Sequence, residues 1–132
     1  MGSIDDRLNG KKVLVVDDEE CMRSLQKRIF DRFIPGYVVH TAENGRIALE
    51  MMQHEGYSLV SCDVDMPKMN GLELYSSAKC LDKKPAFLFM TGALTEERKD
   101  FFKKEGLIYM PKPFEIQEYV SNAKNLLNGS SA

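Results

Sequence analysis

Five short apolar runs punctuate this chain, at 12–16, 37–41, 57–62, 86–90 and 107–110. Each is followed by a longer stretch in which apolar residues recur every three or four positions. Runs of that length bounded by turn residues read as strands, and the three-four recurrence reads as one face of a helix. The first, Lys12 to Val16, is apolar at every position after the lysine, as suits a strand covered on both faces in a parallel sheet. The run 37–41 is more polar and is placed at an edge. Ala86 to Met90 is uniformly apolar and ends at Thr91-Gly92.

The helices are predicted between these runs. Asp18 is expected to cap the first, with Met22, Leu25, Ile29 and Phe33 inward and Pro35-Gly36 closing it. Asn44-Gly45 opens the second, with Ile47, Ala48, Met51 and Met52 on one side, ending near Gly56. The third starts at about Gly71 and turns Leu72, Tyr75 and Ala78 inward, and Asp82 to Pro85 form a loop. The fourth, about Thr95 to Lys104, has acids in its first turn and lysines in its last, matching the helix dipole. Its apolar stripe is thin, with Phe101 and Phe102 its only large members, so loose packing is expected. The fifth sends Ile116, Val120, Ala123 and Leu127 to the core. Strand and helix alternating five times imply a three-layer α/β fold, with a five-stranded parallel sheet and helices on both faces.

The chain's 132 residues suit one such domain, expected over 11–127 between a polar lead (1–10) and a short tail (128–132). With 18 basic against 20 acidic residues and its lysine pairs scattered, it shows no footprint for nucleic acid. No apolar run approaches a membrane span, and Asp6 stands where an N-myristoylation signal needs Ser or Thr. Three cysteines, Cys21, Cys62 and Cys80, lack the spacing of a zinc or redox pair and read as reduced thiols in the cytoplasm. Cys62 reads as a small filler of a buried strand rather than a redox sensor.

Candidate chemistry lies where the strands stop. Asp17 and Asp18 follow the first, Asp63 ends the third, Thr91 follows the fourth and Lys112 the fifth. The carboxyl edge of an open parallel sheet is where ligands bind. Three carboxylates gathered there repel one another unless a cation joins them or their pKa values rise. Oxygen ligands without His or Cys favour Mg²⁺ or Mn²⁺ over zinc. With Thr91 as a hydroxyl donor and Lys112 as a mobile cation, the pocket would neutralise a phosphoryl group, and Asp63 is the candidate to accept one as an aspartyl phosphate. For Asp63 alone, the simpler role is a surface residue capping the turn before Pro67.

Val-Val-Asp-Asp-Glu at 15–19, Asp-Val-Asp-Met-Pro-Lys-Met-Asn-Gly at 63–71, Met-Thr-Gly-Ala at 90–93 and Lys-Pro-Phe at 112–114 together resemble the receiver domain of two-component response regulators. The resemblance runs from about Lys11 to Leu127. It implies a flavodoxin-like (βα)5 fold with strand order 2-1-3-4-5. Asp63 would take a phosphoryl group from a phosphohistidine on a histidine kinase or histidine phosphotransfer domain. Mg²⁺ would be held by Asp17, Asp18, Asp63 and the backbone carbonyl of Asp65. Thr91 and Lys112 would bind phosphoryl oxygens, Thr91 and Tyr109 would form a switch, and the Lys112–Pro113 peptide would be cis. The face of the fourth helix, fifth strand and fifth helix would respond, with an output partner or fused domain downstream; a phosphorylation-dependent homodimer is also compatible. The pattern departs from the family at Gly106-Leu107-Ile108-Tyr109, one residue shorter than usual, and Asp65 adds an acid in a position tied to phosphoryl lifetime.

Two other classes fit part of the pattern. Asp63-Val64-Asp65 is the Asp-x-Asp of haloacid-dehalogenase-like phosphatases, although their nucleophile usually sits on the first strand of the motif order. A pseudo-receiver that only binds partners would keep the fold without the chemistry, and a flavin-binding module of this architecture would need a less acidic first loop.

Overall fold

The computed structural model describes residues 11–129. The expected lead at 1–10, Asp6 with it, and the last three residues of the expected tail lie outside the described residues. Ten elements alternate: β1 (Lys12–Val16), α1 (Glu20–Phe33), β2 (Val38–Ala42), α2 (Gly45–His54), β3 (Leu59–Asp63), α3 (Gly71–Ala78), β4 (Ala86–Thr91), α4 (Glu96–Glu105), β5 (Ile108–Pro111) and α5 (Ile116–Leu127). All strands pair in parallel in the order β2-β1-β3-β4-β5, so the more polar second strand is an edge. This is the flavodoxin-like three-layer arrangement.

The alternation of side chains along each strand divides the core in two. Leu14, Val16, Val60, Cys62, Phe87 and Phe89 meet Ala48, Met52, Leu74, Ala78 and Phe102 on one face of the sheet. Val13, Leu59, Leu88, Met90 and Met110 meet Ile29, Phe30, Tyr119, Val120 and Ala123 on the other. Continuously apolar strands are thus required by helices on both sides. Among α4's residues Phe102 is the one fully buried, so the expected thin packing is present.

Several helix faces are rotated from expectation. In α1 the buried residues are Gln26, Ile29 and Phe30, and Leu25 is 37% exposed. Ile47 and Ile116 are exposed too, while Leu74 and Tyr119 take inward places. A buried polar trio explains two of these shifts. Gln26 Oε1 accepts a hydrogen bond from Ser61 Oγ at 2.6 Å, and the Tyr119 hydroxyl lies 2.8 Å from Ser61 Oγ and 3.0 Å from Gln26 Oε1. These partners make a buried glutamine tolerable and rotate α1 and α5 to meet over Ser61. Tyr119→Phe is expected to lower stability by about 1–1.5 kcal/mol, read as the urea midpoint at constant m-value; an unchanged midpoint would mean the trio contributes nothing net.

The cap of α1 is also corrected. Its N-cap is Glu19 rather than Asp18, and no side chain caps it directly. Asp17 Oδ1 instead accepts from the Glu19 N–H at 2.9 Å, which leaves the exposed Asp18 carboxylate free of the helix. Asn44 caps α2, Asn70 and Glu73 form a capping box on α3, and Thr95 caps α4. The third strand starts two residues later than expected and includes Asp63 as its last residue.

Candidate functional site

Strand order reverses beside β1: α1 carries the chain to β2 on one side, and α2 returns it to β3 on the other. Loops diverge at that point, and the crevice opens at the carboxyl ends of β1 and β3. Asp17 follows β1 directly and is wholly buried, and Asp63 ends β3 at 4% exposure. Ladder pairing continues past it, since the Val64 N–H donates to the Met90 carbonyl at 2.9 Å. The acid is therefore held by paired backbone on a rigid strand end.

Lys112 reaches this point from the end of β5. Its Nζ lies 3.0 Å from Asp17 Oδ2, 3.2 Å from Asp63 Oδ2 and 3.9 Å from Glu19 Oε1. The Lys112 N–H donates to the Thr91 carbonyl at 2.9 Å, and the Lys112–Pro113 peptide is cis. Both ways of relieving crowded carboxylates operate here. Burial pushes the Asp63 carboxyl up to about 6; Lys112 opposes the rise, and the charges of Asp17 and Asp18 add to it. Burial alone would lower the Lys112 ammonium, but its bonds to Asp17 and Asp63 hold it above the ordinary lysine range.

Asp17, Asp18 and Asp63 each offer a carboxylate oxygen, all within 4.8 Å of one another. Such a set of hard oxygens fits Mg²⁺ or Mn²⁺. Cys62 adjoins the cluster but is no rival ligand. Its thiol is buried and pushed far up by desolvation, with the charges of Asp63 and Asp17 adding to it, so it stays protonated. It fills space in the strand, as expected, and Cys21 and Cys80 are exposed free thiols.

Thr91 is buried at the end of β4 and sits at the same rim, one strand over from Asp63. Its hydroxyl faces its own loop: Oγ1 lies 3.1 Å from both the Ala93 N–H nitrogen and the Ala93 carbonyl oxygen. Tyr109, on β5, stacks on Phe102 of α4 with ring centroids 4.7 Å apart. The shortened segment before it is accommodated by a left-handed Gly106 (φ 69°), which closes α4 as the Leu107 N–H reaches the Phe102 carbonyl at 2.8 Å.

Arg98 is the site neighbour that sequence reasoning missed. Its guanidinium grips Asp65 in a fork, Nη2 to Oδ1 at 2.6 Å and Nη1 to Oδ2 at 3.1 Å. Nη1 also lies 3.2 Å from Thr91 Oγ1 and 2.7 Å from the Ala93 carbonyl. The bonds to Arg98 hold the Asp65 carboxyl below its ordinary range and raise the guanidinium. One signal was available. A cation in a helix's first turn opposes the macrodipole, so it calls for an anionic partner nearby.

Residues 13–124 match the family model of the response regulator receiver domain. The chain is 31% identical over 118 residues to the transcriptional regulatory protein SrrA of Staphylococcus aureus, covering 88% of this chain and 47% of that protein. It therefore spans about half the length of the curated relatives it matches. Among solved structures it resembles a CheY-like receiver domain protein from Methanospirillum hungatei (TM-score 0.81, 26% identity, 91% and 95% of the two chains). The chemotaxis protein CheY4 of Vibrio cholerae is similar as well (TM-score 0.73, 28% identity, 89% and 98%). No helix among the described residues is long and apolar enough to cross a membrane. The chain belongs to the response regulator receiver domain family.

Proposed function

We propose that this receiver domain takes a phosphoryl group onto Asp63 from a phosphohistidine and passes the change to the α4–β5–α5 face. The observation that carries this reading is Lys112, drawn across the sheet rim to lie between Asp17 and Asp63. In the transfer, a carboxylate oxygen of Asp63 forms a bond to phosphorus while the phosphorus–nitrogen bond of the donor imidazole breaks and its electron pair returns to the ring. Lys112 pairs with the entering phosphoryl oxygens, and Thr91 donates its hydroxyl to one of them once it turns from Ala93. Asp17, Asp18, Asp63 and the Asp65 carbonyl would hold Mg²⁺, which supplies charge neutralisation at the phosphoryl oxygens. Tyr109 then carries the displacement of Thr91 to α4 through its stacking partner Phe102. An element fixed by one fully buried side chain is suited to such a shift.

A histidine kinase or histidine phosphotransfer domain is the proposed donor, with the receiver itself in the cytoplasm. The similarity to a transcriptional regulatory protein supports an output domain, fused or separate, on the far side of the switch. Incubation with Mg²⁺ and acetyl phosphate, followed by peptide mapping, tests the chemistry. The expected result is a base-labile gain of one phosphoryl group on the peptide containing Asp63, absent from Asp63→Asn. Label on another residue, or none, would refute the assignment.

A further inference from the structure

Arg98 offers four hydrogen bonds at one place, and their arrangement is more specific than a surface ion pair requires. The Asp65–Arg98 pair is partly exposed, at 53% and 21%, so its charge alone contributes little. Geometry is the informative part. Nη1 carries two hydrogens and has three acceptors within reach, Asp65 Oδ2, Thr91 Oγ1 and the Ala93 carbonyl. The Thr91 hydroxyl has one hydrogen, directed to the Ala93 carbonyl, and its lone pairs face the Ala93 N–H and Arg98. To donate to a group on Asp63, Thr91 must abandon a loop that Arg98 is holding from both sides. The same guanidinium springs from the first turn of α4, whose one fully buried side chain, Phe102, lies in its second half. The start of α4 is thus joined to the acceptor strand's loop through Arg98 and Asp65.

We infer that Arg98 is a positioning residue, a latch that fastens Thr91 and the first turn of α4 to Asp65 in the unphosphorylated protein and must open for the switch to turn. The inference rests on the reading of Asp63 as phosphoacceptor, and it adds a specific resistance to that reading. A lysine at this position keeps the charge but lacks the planar fork that reaches Asp65, Thr91 and Ala93 together. Arg98→Lys therefore separates the latch from the electrostatics of the site.

In Arg98→Lys without any phosphoryl donor, backbone amides over 95–101 are expected to exchange hydrogen about three- to tenfold faster than in the wild type. The Thr91 methyl resonance should move toward its position in the beryllofluoride complex of the wild type. Beryllofluoride with Mg²⁺ should bind the variant about three- to tenfold more tightly, because less is spent opening the resting state. Asp65→Asn should change exchange and the Thr91 resonance in the same direction. Wild-type exchange and an unmoved Thr91 in Arg98→Lys would reduce the pair to surface decoration. Weaker beryllofluoride binding by Arg98→Lys would overturn the latch in favour of Arg98 as a direct phosphoryl ligand. Failure of the wild type to bind beryllofluoride would refute the phosphoacceptor reading instead, and exchange and the unliganded Thr91 resonance would still decide the latch.

Discussion

Asp63→Asn is expected to raise stability at pH 7.5 by about 2–3 kcal/mol in the absence of divalent cations, and to change it little at pH 4. The sign follows from the direction of the shift. Asp63 has a folded pKa of about 6 against an ordinary value of 3.8, so the folded state binds its proton more tightly than the unfolded chain does. Above pH 6 the ionised carboxylate is carried at a penalty of about 2–3 kcal/mol. As pH falls from 6 toward 4, the folded state takes up a proton that the unfolded chain does not, and the wild type recovers that stability. Asparagine has the shape of the protonated acid and no charge, so it carries no penalty at either pH. Urea unfolding of both proteins at the two pH values checks this; equal stability at pH 7.5 would show that Lys112 compensates Asp63 in full.

The same imbalance bears on activity and on the cation. A carboxylate must be ionised to attack phosphorus, so phosphorylation of Asp63 by acetyl phosphate should fall as acid protonates that carboxyl, whose pKa burial raises. Mg²⁺ held among Asp17, Asp18 and Asp63 would relieve the repulsion, and it should raise the melting temperature of the wild type more than that of Asp63→Asn. Buried beside Asp17 and answered by one shared lysine, Asp63 is short of counter-charge, which a bound divalent cation would supply.

Which parts of this were legible in the sequence depended on how local their cause is. Strands β1, β3 and β4 announce themselves because burial on both faces leaves them mostly apolar between their ends, Ser61 being the interior exception. Their carboxyl ends, and with them Asp17, Asp63 and Thr91, follow from the parallel order once the elements are placed, as does Lys112 at the end of β5. Helix faces were less legible. Gln26 and Tyr119 point inward only because Ser61 lies between them, a meeting across 35 and 58 residues that periodicity along one helix does not encode. Asp18 looked like a cap because it precedes the helix, whereas the buried Asp17 takes that bond and Asp18 remains turned to the site. Arg98 escaped notice for a related reason. Its role depends on Asp65, 33 residues away, and nothing in the sequence of α4 names that partner.

Gly71→Ala is expected to lower stability by about 2–3 kcal/mol, roughly 10 °C in melting temperature, and to slow phosphorylation of Asp63. The reason is space rather than backbone conformation. A Cβ on Gly71 would stand 2.5 Å from the Asp63 carbonyl oxygen, 3.0 Å from Cys62 Sγ and 3.1 Å from Val64 Cα. The Gly71 N–H donates to the Val64 carbonyl at 2.8 Å, which fixes the start of α3 against the end of β3. Two of the three obstructing atoms are backbone, so relief requires the strand end itself to move, and Asp63 moves with it. Gly92→Ala is the matched control. It lies on the neighbouring loop with nothing within 4 Å of its Cβ, and should stay within about 0.5 kcal/mol of the wild type. If Gly71→Ala instead unfolds and phosphorylates as Gly92→Ala does, the strand end is compliant and the site does not depend on close seating of α3. If it loses stability and phosphorylation together, the small residue at the helix start is what allows the acceptor strand to be gripped from above.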